Sequence, residues 1–349
     1  MADRALFLSA EDTRALLTWD DAIQAIERVY SAELNKLASP RRSLARGQNA
    51  SLRALSGALP SGTLMGTKIF GISRLGGLSY VIVLFDQAKG TVECFLDASV
   101  ITAVRTAATT AVAVKKLAGS QPVRLGVLGT GTQAYSHVRA LSRVLSIREV
   151  VVFSPKEDNR ARFCAALSEE LSLPFRLAAS NDEVVRNCDV LLGTARPYQE
   201  EPVILGEWLR PGMVVASVGS TLPEQREADP ETLQVADMIV VDAKDEIIAE
   251  TGDFIAAKQA GVDFEHKVFS LNDLLLGNTP PPRPDSQILL FKSIGAGIQD
   301  IALAEVVYTK ARELGIGREL PGEIVLKRRQ PADAAAGDPS ERDLSRGLG

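Results

Sequence analysis

Residues 10–37 place apolar side chains at helical spacing, with Ala22, Ile23, Ile26, Val29, Tyr30 and Leu34 recurring on one face. Thr18 precedes Asp20 and Asp21, an N-cap followed by acidic first-turn residues. From residue 40 to 97 the pattern changes. Strand-like runs at 64–70, 80–85 and 92–96 are separated by glycine-rich turns, and Lys89-Gly90 reads as a hairpin turn. These features predict an antiparallel sheet. Asp97 is expected to cap a long helix rich in Ala, Thr and Val that ends at Gly119. Beyond Val123 strands and amphipathic helices alternate. The apolar runs at 123–128, 150–153, 189–193, 213–218 and 237–241 are short and nearly continuous, as strands buried on both faces are. A proline-rich segment around Pro280 to Pro284, a last strand at 288–292 and a final helix from Gln299 follow.

The predicted fold class is therefore α/β: a doubly wound parallel sheet of Rossmann type over 119–298, plus an α+β domain with an antiparallel sheet over 1–118. A C-terminal helix at about 299–330 is expected to complete the α+β domain. The polar tail at 331–349, rich in Ala, Gly, Asp and Arg, is expected to be disordered.

Composition narrows the function. A net charge of -5 over 349 residues lacks the basic footprint of a nucleic-acid binder. Three cysteines (Cys94, Cys164, Cys188) and two histidines (His137, His266) are too few and too scattered for a metal cage, so no metal is expected. The cysteines read as free thiols in a reducing compartment. No apolar run approaches the roughly 20 residues that span a bilayer, and the first residues do not read as a signal peptide. No membrane partner and a cytoplasmic location are expected.

The strongest local signal is Gly129-Thr130-Gly131-Thr132-Gln133-Ala134, which reads G-x-G-x-x-A between a strand and a helix. Gly129 permits the tight turn, Gly131 lets backbone approach a pyrophosphate, and Ala134 permits close helix–strand packing. The helix N-terminus adds N–H donors for the phosphates. A nicotinamide dinucleotide, NAD(P), is the expected cofactor. The next strand leads to Ser154, Pro155 and Lys156, with Arg160 nearby, where an NAD enzyme usually carries Asp or Glu. A hydroxyl and two cations suit a 2′-phosphate better, which favours NADP. Lys156 and Arg160 as ordinary solvated charges are the alternative.

Outside this segment, Arg41-Arg42, Lys68 within an apolar run and Arg105 within the Ala/Thr helix stand out. A lone cation in a buried strand is costly unless it meets an anion. An edge lysine that protects the sheet is the other reading of Lys68. Arg53 and Arg74 are open as contacts for a second acidic group or as surface charges. His137 and His266 are expected to pack rather than to transfer protons.

The chain resembles the ornithine cyclodeaminase/mu-crystallin family over most of residues 5–325. The resemblance rests on Pro40-Arg41-Arg42, Gly66-Thr67-Lys68, the helix segment Val100-Ile101-Thr102-Ala103-Val104-Arg105-Thr106-Ala107-Ala108, the glycine turn, Ser217-Val218-Gly219-Ser220 with Arg226-Glu227, and Phe291-Lys292-Ser293-Ile294-Gly295 with Gln299-Asp300. It implies that Arg42 and Lys68 hold a substrate carboxylate and that Arg105 contacts both carboxylate and cofactor. It further implies Thr132 and Gln133 at the pyrophosphate, and Ser154 and Lys156 at the adenosine ribose. Thr194, Val215 and Ser217 would line the cofactor, Ser293 the nicotinamide, and Ile294 and Gly295 the substrate. A homodimer formed through the N-terminal sheet is also implied.

One departure matters. Cyclodeaminases carry Asp after the Val-Gly-x turn, and this chain has Thr221. A hydroxyl does not serve as a carboxylate base near neutral pH. Mu-crystallin-like reductases are similar in having a hydroxyl there. Thr221 joins Lys68 and Arg105 as a candidate catalytic residue. The expected reaction is hydride transfer between NAD(P)H and a 2-imino acid, an oxidoreductase activity on CH-NH groups. A cyclodeaminase-type lyase with tightly bound NAD and a non-enzymatic dinucleotide-binding protein are the alternatives.

Overall fold

The computed structural model describes residues 4–195, 201–321 and 324. Two sheets organise the chain. The larger has eight strands, all parallel, in the order Val268–Ser270, Met238–Val241, Leu289–Lys292, Val214–Ser217, Val190–Gly193, Val123–Leu128, Ile147–Phe153, Phe175–Leu177. The sequence order reverses between Val123–Leu128 and Val190–Gly193. Such a switch point opens a crevice at the carboxyl ends of the strands. The central strands are buried on both faces, which explains their unbroken apolar runs.

The second sheet has seven strands, ordered Arg318–Glu319, Leu6–Leu8, Val92–Asp97, Leu78–Asp86, Leu64–Ser73, Ala50–Ala58, Ser43–Arg46. It is antiparallel except where Leu6–Leu8 runs parallel to Val92–Asp97. The helices Trp19–Tyr30, Ser99–Ala118 and Gly297–Leu314 pack together, and the last lies across the inner face of this sheet. There Leu55, Ile82, Leu84 and Leu96 are buried. The opposite face leaves Phe7, Leu52 and Met65 exposed. Among the described residues no helix is long and apolar enough to cross a membrane.

Several expectations need adjustment. The helical pattern of 10–37 is broken into Ala10–Leu16 and Trp19–Tyr30, each opened by a capping box, Ser9 with Asp12 and Thr18 with Asp21. Asp97 is not the N-cap of the long helix. That helix spans Ser99–Ala118 with Ala98 at the cap, and Asp97 accepts from the Ser99 amide at 2.9 Å from one position further out. The last helix is Gly297–Leu314 and does not continue to 330, because Gly315 takes a left-handed conformation (φ 66°) and the chain turns into Arg318–Glu319. The strands Ser43–Arg46 and Ala50–Ala58 were not anticipated: small and polar side chains give them no clean alternation. The 331–349 tail lies outside the described residues.

Glycines set how closely the last helix approaches the mixed sheet. A Cβ on Gly57 would lie 2.7 Å from the Ile298 nitrogen, and one on Gly297 would lie 2.1 Å from the Ser56 carbonyl oxygen. The start of the last helix therefore rests directly on strand backbone, which cannot yield as a flexible side chain would. Gly297→Ala is expected to destabilise the protein by about 1–3 kcal/mol, read from urea midpoints. An unchanged midpoint would show that this contact is not tight.

Candidate active site

The glycine turn begins where strand Val123–Leu128 ends. Gly129 has φ 98°, a region that L side chains rarely occupy, and a Cβ there would sit 3.0 Å from the Thr194 hydroxyl. Gly131 is the N-cap of the helix Thr132–Ser142, and a Cβ on it would point into open space. Above the turn lies a cleft of about 910 Å³, lined among others by Thr102, Gly129, Gly131, Thr132, Gln133, Ser154 and Thr194. Two lining side chains carry oxygens that are buried without a hydrogen-bond partner, Thr102 Oγ1 and Gln133 Oε1. A dinucleotide offers donors that would satisfy them. The residues present thus fit the expected cofactor.

At the far end of the cleft Ser154 is buried, Asn159 joins the lining and Lys156 is exposed. The Arg160 guanidinium lies 5.1 Å from the centroid of the Phe153 ring, and its Nε is shielded without a partner.

The opposite end abuts a buried ionic cluster. Lys68 Nζ lies 2.9 Å from Asp300, and Arg105 Nε donates to the same carboxylate at 3.1 Å. Arg105 Nη1 also donates to Gln299 at 2.8 Å. Arg42 Nε pairs with Glu246, its amide donates to the same carboxylate at 3.0 Å, and its Nη2 donates to the Gly295 carbonyl at 3.1 Å. Gly295 has φ 84°, and a Cβ on it would stand 2.1 Å from Arg105 Nη1, so glycine lets the guanidinium lie against backbone. Asp242 accepts from Ser293 Oγ (2.6 Å), the Ile294 and Gly295 amides and Gln299 Nε2 (3.0 Å), fixing the loop after strand Leu289–Lys292. Lys68 Nζ lies 6.0 Å from the centroid of Tyr80, and Tyr80 lines the dinucleotide cleft. Cleft and cluster therefore share a wall. Burial pushes the Lys68 ammonium down to about 8, against the pull of Asp300.

A second charged network lies under the carboxyl edge of the parallel sheet. Lys292 Nζ bridges Ser217 Oγ at 3.0 Å and Asp253 at 2.6 Å, and also contacts Ser220. Ser217 Oγ and the Gly219 amide donate to Glu227 Oε2 at 2.7 and 2.8 Å, while Glu227 Oε1 has no hydrogen-bond partner. Burial pushes the Glu227 carboxyl up to about 7, although Lys292 and these donors favour the charged form.

The structure thus gathers Arg42, Lys68, Arg105, Ile294 and Gly295 in one region, and Gly129, Gly131, Thr132, Gln133, Ser154 and Thr194 in another. Ser217 and Ser293 stand at the strand ends, with their hydroxyls engaged inside the protein. Val215 is a correction: its side chain is fully buried in the sheet core with Leu191 and Leu290 and does not line the cleft. Thr221 is half-buried on the loop after Val214–Ser217, its amide donating to Gln225 at 3.1 Å. His137 is buried between Thr110 and the Gln133 carbonyl, and burial lowers its pKa to about 4. His266 is exposed beside Asp263. Sequence reasoning assigned no role to Asp300, Gln299, Glu246, Asp242, Lys292, Asp253 or Glu227. Lys292 carried the same signal as Lys68, a cation in an apolar run.

The chain matches the Ornithine cyclodeaminase/mu-crystallin family over residues 5–315. It belongs to this family. A relative, the ketimine reductase mu-crystallin of Mus musculus, is 31% identical over 228 residues, covering 65% of this chain and 68% of the relative. The Delta(1)-pyrroline-2-carboxylate reductase of Thermococcus litoralis, solved with NADH and L-proline, superposes with a TM-score of 0.82 at 28% identity, covering 90% of this chain and all of that one (100%). An archaeal alanine dehydrogenase, solved as a dimer with bound NAD, gives 0.82 at 27% identity and covers 91% and 99%. The mixed and parallel sheets are those of the Rossmann-type fold these members share.

Glu227 generates a test within this family fold. Its folded pKa, about 7, lies above the ordinary 4.5, so its contribution to stability falls as pH rises between the two and stays low above. Glu227→Gln has no such loss. Between pH 4.5 and 7.5 the stability difference should move toward the variant by about 1–3 kcal/mol, read by denaturant unfolding at each pH. A pH-independent difference would show that Glu227 is ionised throughout.

Proposed function

We propose that this chain reduces 2-imino acids with NAD(P)H. The observation that carries this reading is the shared wall at Tyr80: a dinucleotide-sized cleft opens beside three cations gathered on buried carboxylates. The ketimine and pyrroline-2-carboxylate reductases among its relatives support the same activity.

The bound dinucleotide supplies the hydride. Arg42, Lys68 and Arg105 receive the substrate carboxylate. Among the described residues they touch two carboxylates, Asp300 and Glu246, so donor capacity remains for an incoming one. Fixing that carboxylate holds C2 at the cleft mouth, and positioning of this kind lowers the barrier by removing a search. Lys68 Nζ holds the proton for the imine nitrogen. Hydride enters at C2, the proton at nitrogen, and the product is the 2-amino acid. Thr221, half-buried on the loop after Val214–Ser217, has no acid–base role near neutral pH.

Ser154 lines the far end of the cleft, where no described lining residue is a carboxylate, and Lys156 and Arg160 follow it along the chain, which supports NADP over NAD. The face bearing Phe7, Leu52 and Met65 supports a homodimer through the N-terminal sheet. Its three free thiols suit the cytoplasm.

The direct test is oxidation of NADH and NADPH in the presence of pyrroline-2-carboxylate, piperideine-2-carboxylate and 2-oxo acids with ammonia. Stoichiometric oxidation is expected. Ammonia release from ornithine with no net oxidation would instead indicate a lyase, and dinucleotide binding without turnover a binding protein. NADPH should show the lower KM, and Arg160→Ala should narrow that preference; an unchanged ratio would remove Arg160 from the reading. With Lys68 as proton donor, turnover should fall as pH rises through about 8, and Lys68→Met should lose roughly 100-fold or more in kcat. Full turnover by Lys68→Met would sink the assignment.

A further inference from the structure

Strand register places one more cation in the site. Leu55 pairs with Lys68, and Lys68 with Ile82; one row along, Leu44 pairs with Arg53, Arg53 with Phe70, and Phe70 with Tyr80. Directly paired residues share a face, and so do residues two apart along a strand. Arg53 therefore sits on the face of the sheet that carries Lys68, about 7 Å further along, in the row of Phe70 and Tyr80. Arg42 and Arg46 both lie within its electrostatic reach.

The guanidinium keeps an unmet donor among the described residues. Arg53 Nε is buried and has no hydrogen-bond partner. Burial and the two neighbouring arginines depress its pKa, and Glu224 and Glu250 oppose them. Glu224 lies three residues beyond Thr221, so the loop that bears Thr221 comes within electrostatic reach of Arg53. Arg74, the other cation singled out in the sequence, is exposed on the turn beyond strand Leu64–Ser73. A shielded, half-buried cation among other cations is costly unless an anion arrives.

We propose that Arg53 binds a second carboxylate at the far end of the substrate, which makes the preferred substrate a four- or five-carbon 2-imino dicarboxylate. This rests on the imine-reductase reading and narrows its substrate class. Arg42, Lys68 and Arg105 hold the carboxylate next to the imine carbon. Arg53, one row along, holds the distal one, in the row of the Phe70 and Tyr80 rings, which pack against each other with centroids 5.4 Å apart. A monocarboxylate leaves Arg53 unpaired, so discrimination comes from the unmet cation as well as from the new contact.

The test uses the full chain with pyruvate, oxaloacetate and 2-oxoglutarate, each with ammonia, and in parallel the binding of L-alanine, L-aspartate and L-glutamate to protein saturated with oxidised dinucleotide. A diacid should exceed pyruvate at least tenfold in kcat/KM, and its amino product should bind at least tenfold tighter than L-alanine. Arg53→Gln should reduce both ratios at least tenfold, and Arg53→Lys should retain part of them. Equal use of mono- and dicarboxylates, or an Arg53→Gln effect equal on both, overturns the proposal. If no oxo acid is reduced, the reductase reading fails, while the binding ratios still decide the role of Arg53.

Discussion

Asp300 is the point on which the site depends. Its carboxylate is fully buried and holds Lys68 from a strand of the mixed sheet and Arg105 from the long helix. The partners are 232 and 195 residues away in sequence. Removing one partner of such a buried group leaves an uncompensated charge and costs about 3–5 kcal/mol. The sheet, the Ser99–Ala118 helix and the last helix must therefore keep one mutual arrangement. The Gly57–Gly297 contact supplies it by letting helix backbone rest on strand backbone, and Gly295 extends the same logic by letting the Arg105 guanidinium lie flat on the chain.

The second network works from the opposite side. Lys292, Asp253, Ser220, Ser217 and Glu227 tie together the ends of two adjacent parallel strands and the loops beyond them. One residue past Lys292, Ser293 turns to Asp242 and begins the loop that ends at Gly295 against Arg105. The two charged clusters are thus joined by a few residues of fixed backbone at the carboxyl edge of the sheet, where a crevice forms in folds of this kind. Hydride transfer needs donor and acceptor held to a fraction of an ångström, and buried ionic clusters on both sides of the crevice oppose slack.

Much of this was legible in the chain. The parallel strands announced themselves through unbroken apolar runs, and Gly129 and Gly131 stood between a strand and a helix as the cofactor turn requires. Lys68 betrayed an anion because an apolar strand does not tolerate a lone cation. Which anion it meets was not legible: Asp300 lies on another element, and no local spacing connects them. The same holds for Glu246 as the partner of Arg42. Val215 was misplaced because the crevice opens at the carboxyl ends of the strands, and Val215 lies two residues short of the end of Val214–Ser217, in the core beneath that edge; a run apolar at every position does not mark where the strand stops. The Ser43–Arg46 and Ala50–Ala58 strands, made of small and polar residues, gave no period to read. Arg53 drew notice as a cation, but only register put it on the face of Lys68.

The account turns on direct transfer of hydride to C2 of an imino acid. It is tested most directly with reduced dinucleotide deuterated at the transferring C4 position, incubated with the enzyme and an accepted imine, followed by mass analysis of the amino-acid product. The account predicts one deuterium at C2 for each dinucleotide oxidised. Product formed without deuterium, or ammonia released with no net oxidation of the dinucleotide, would contradict it.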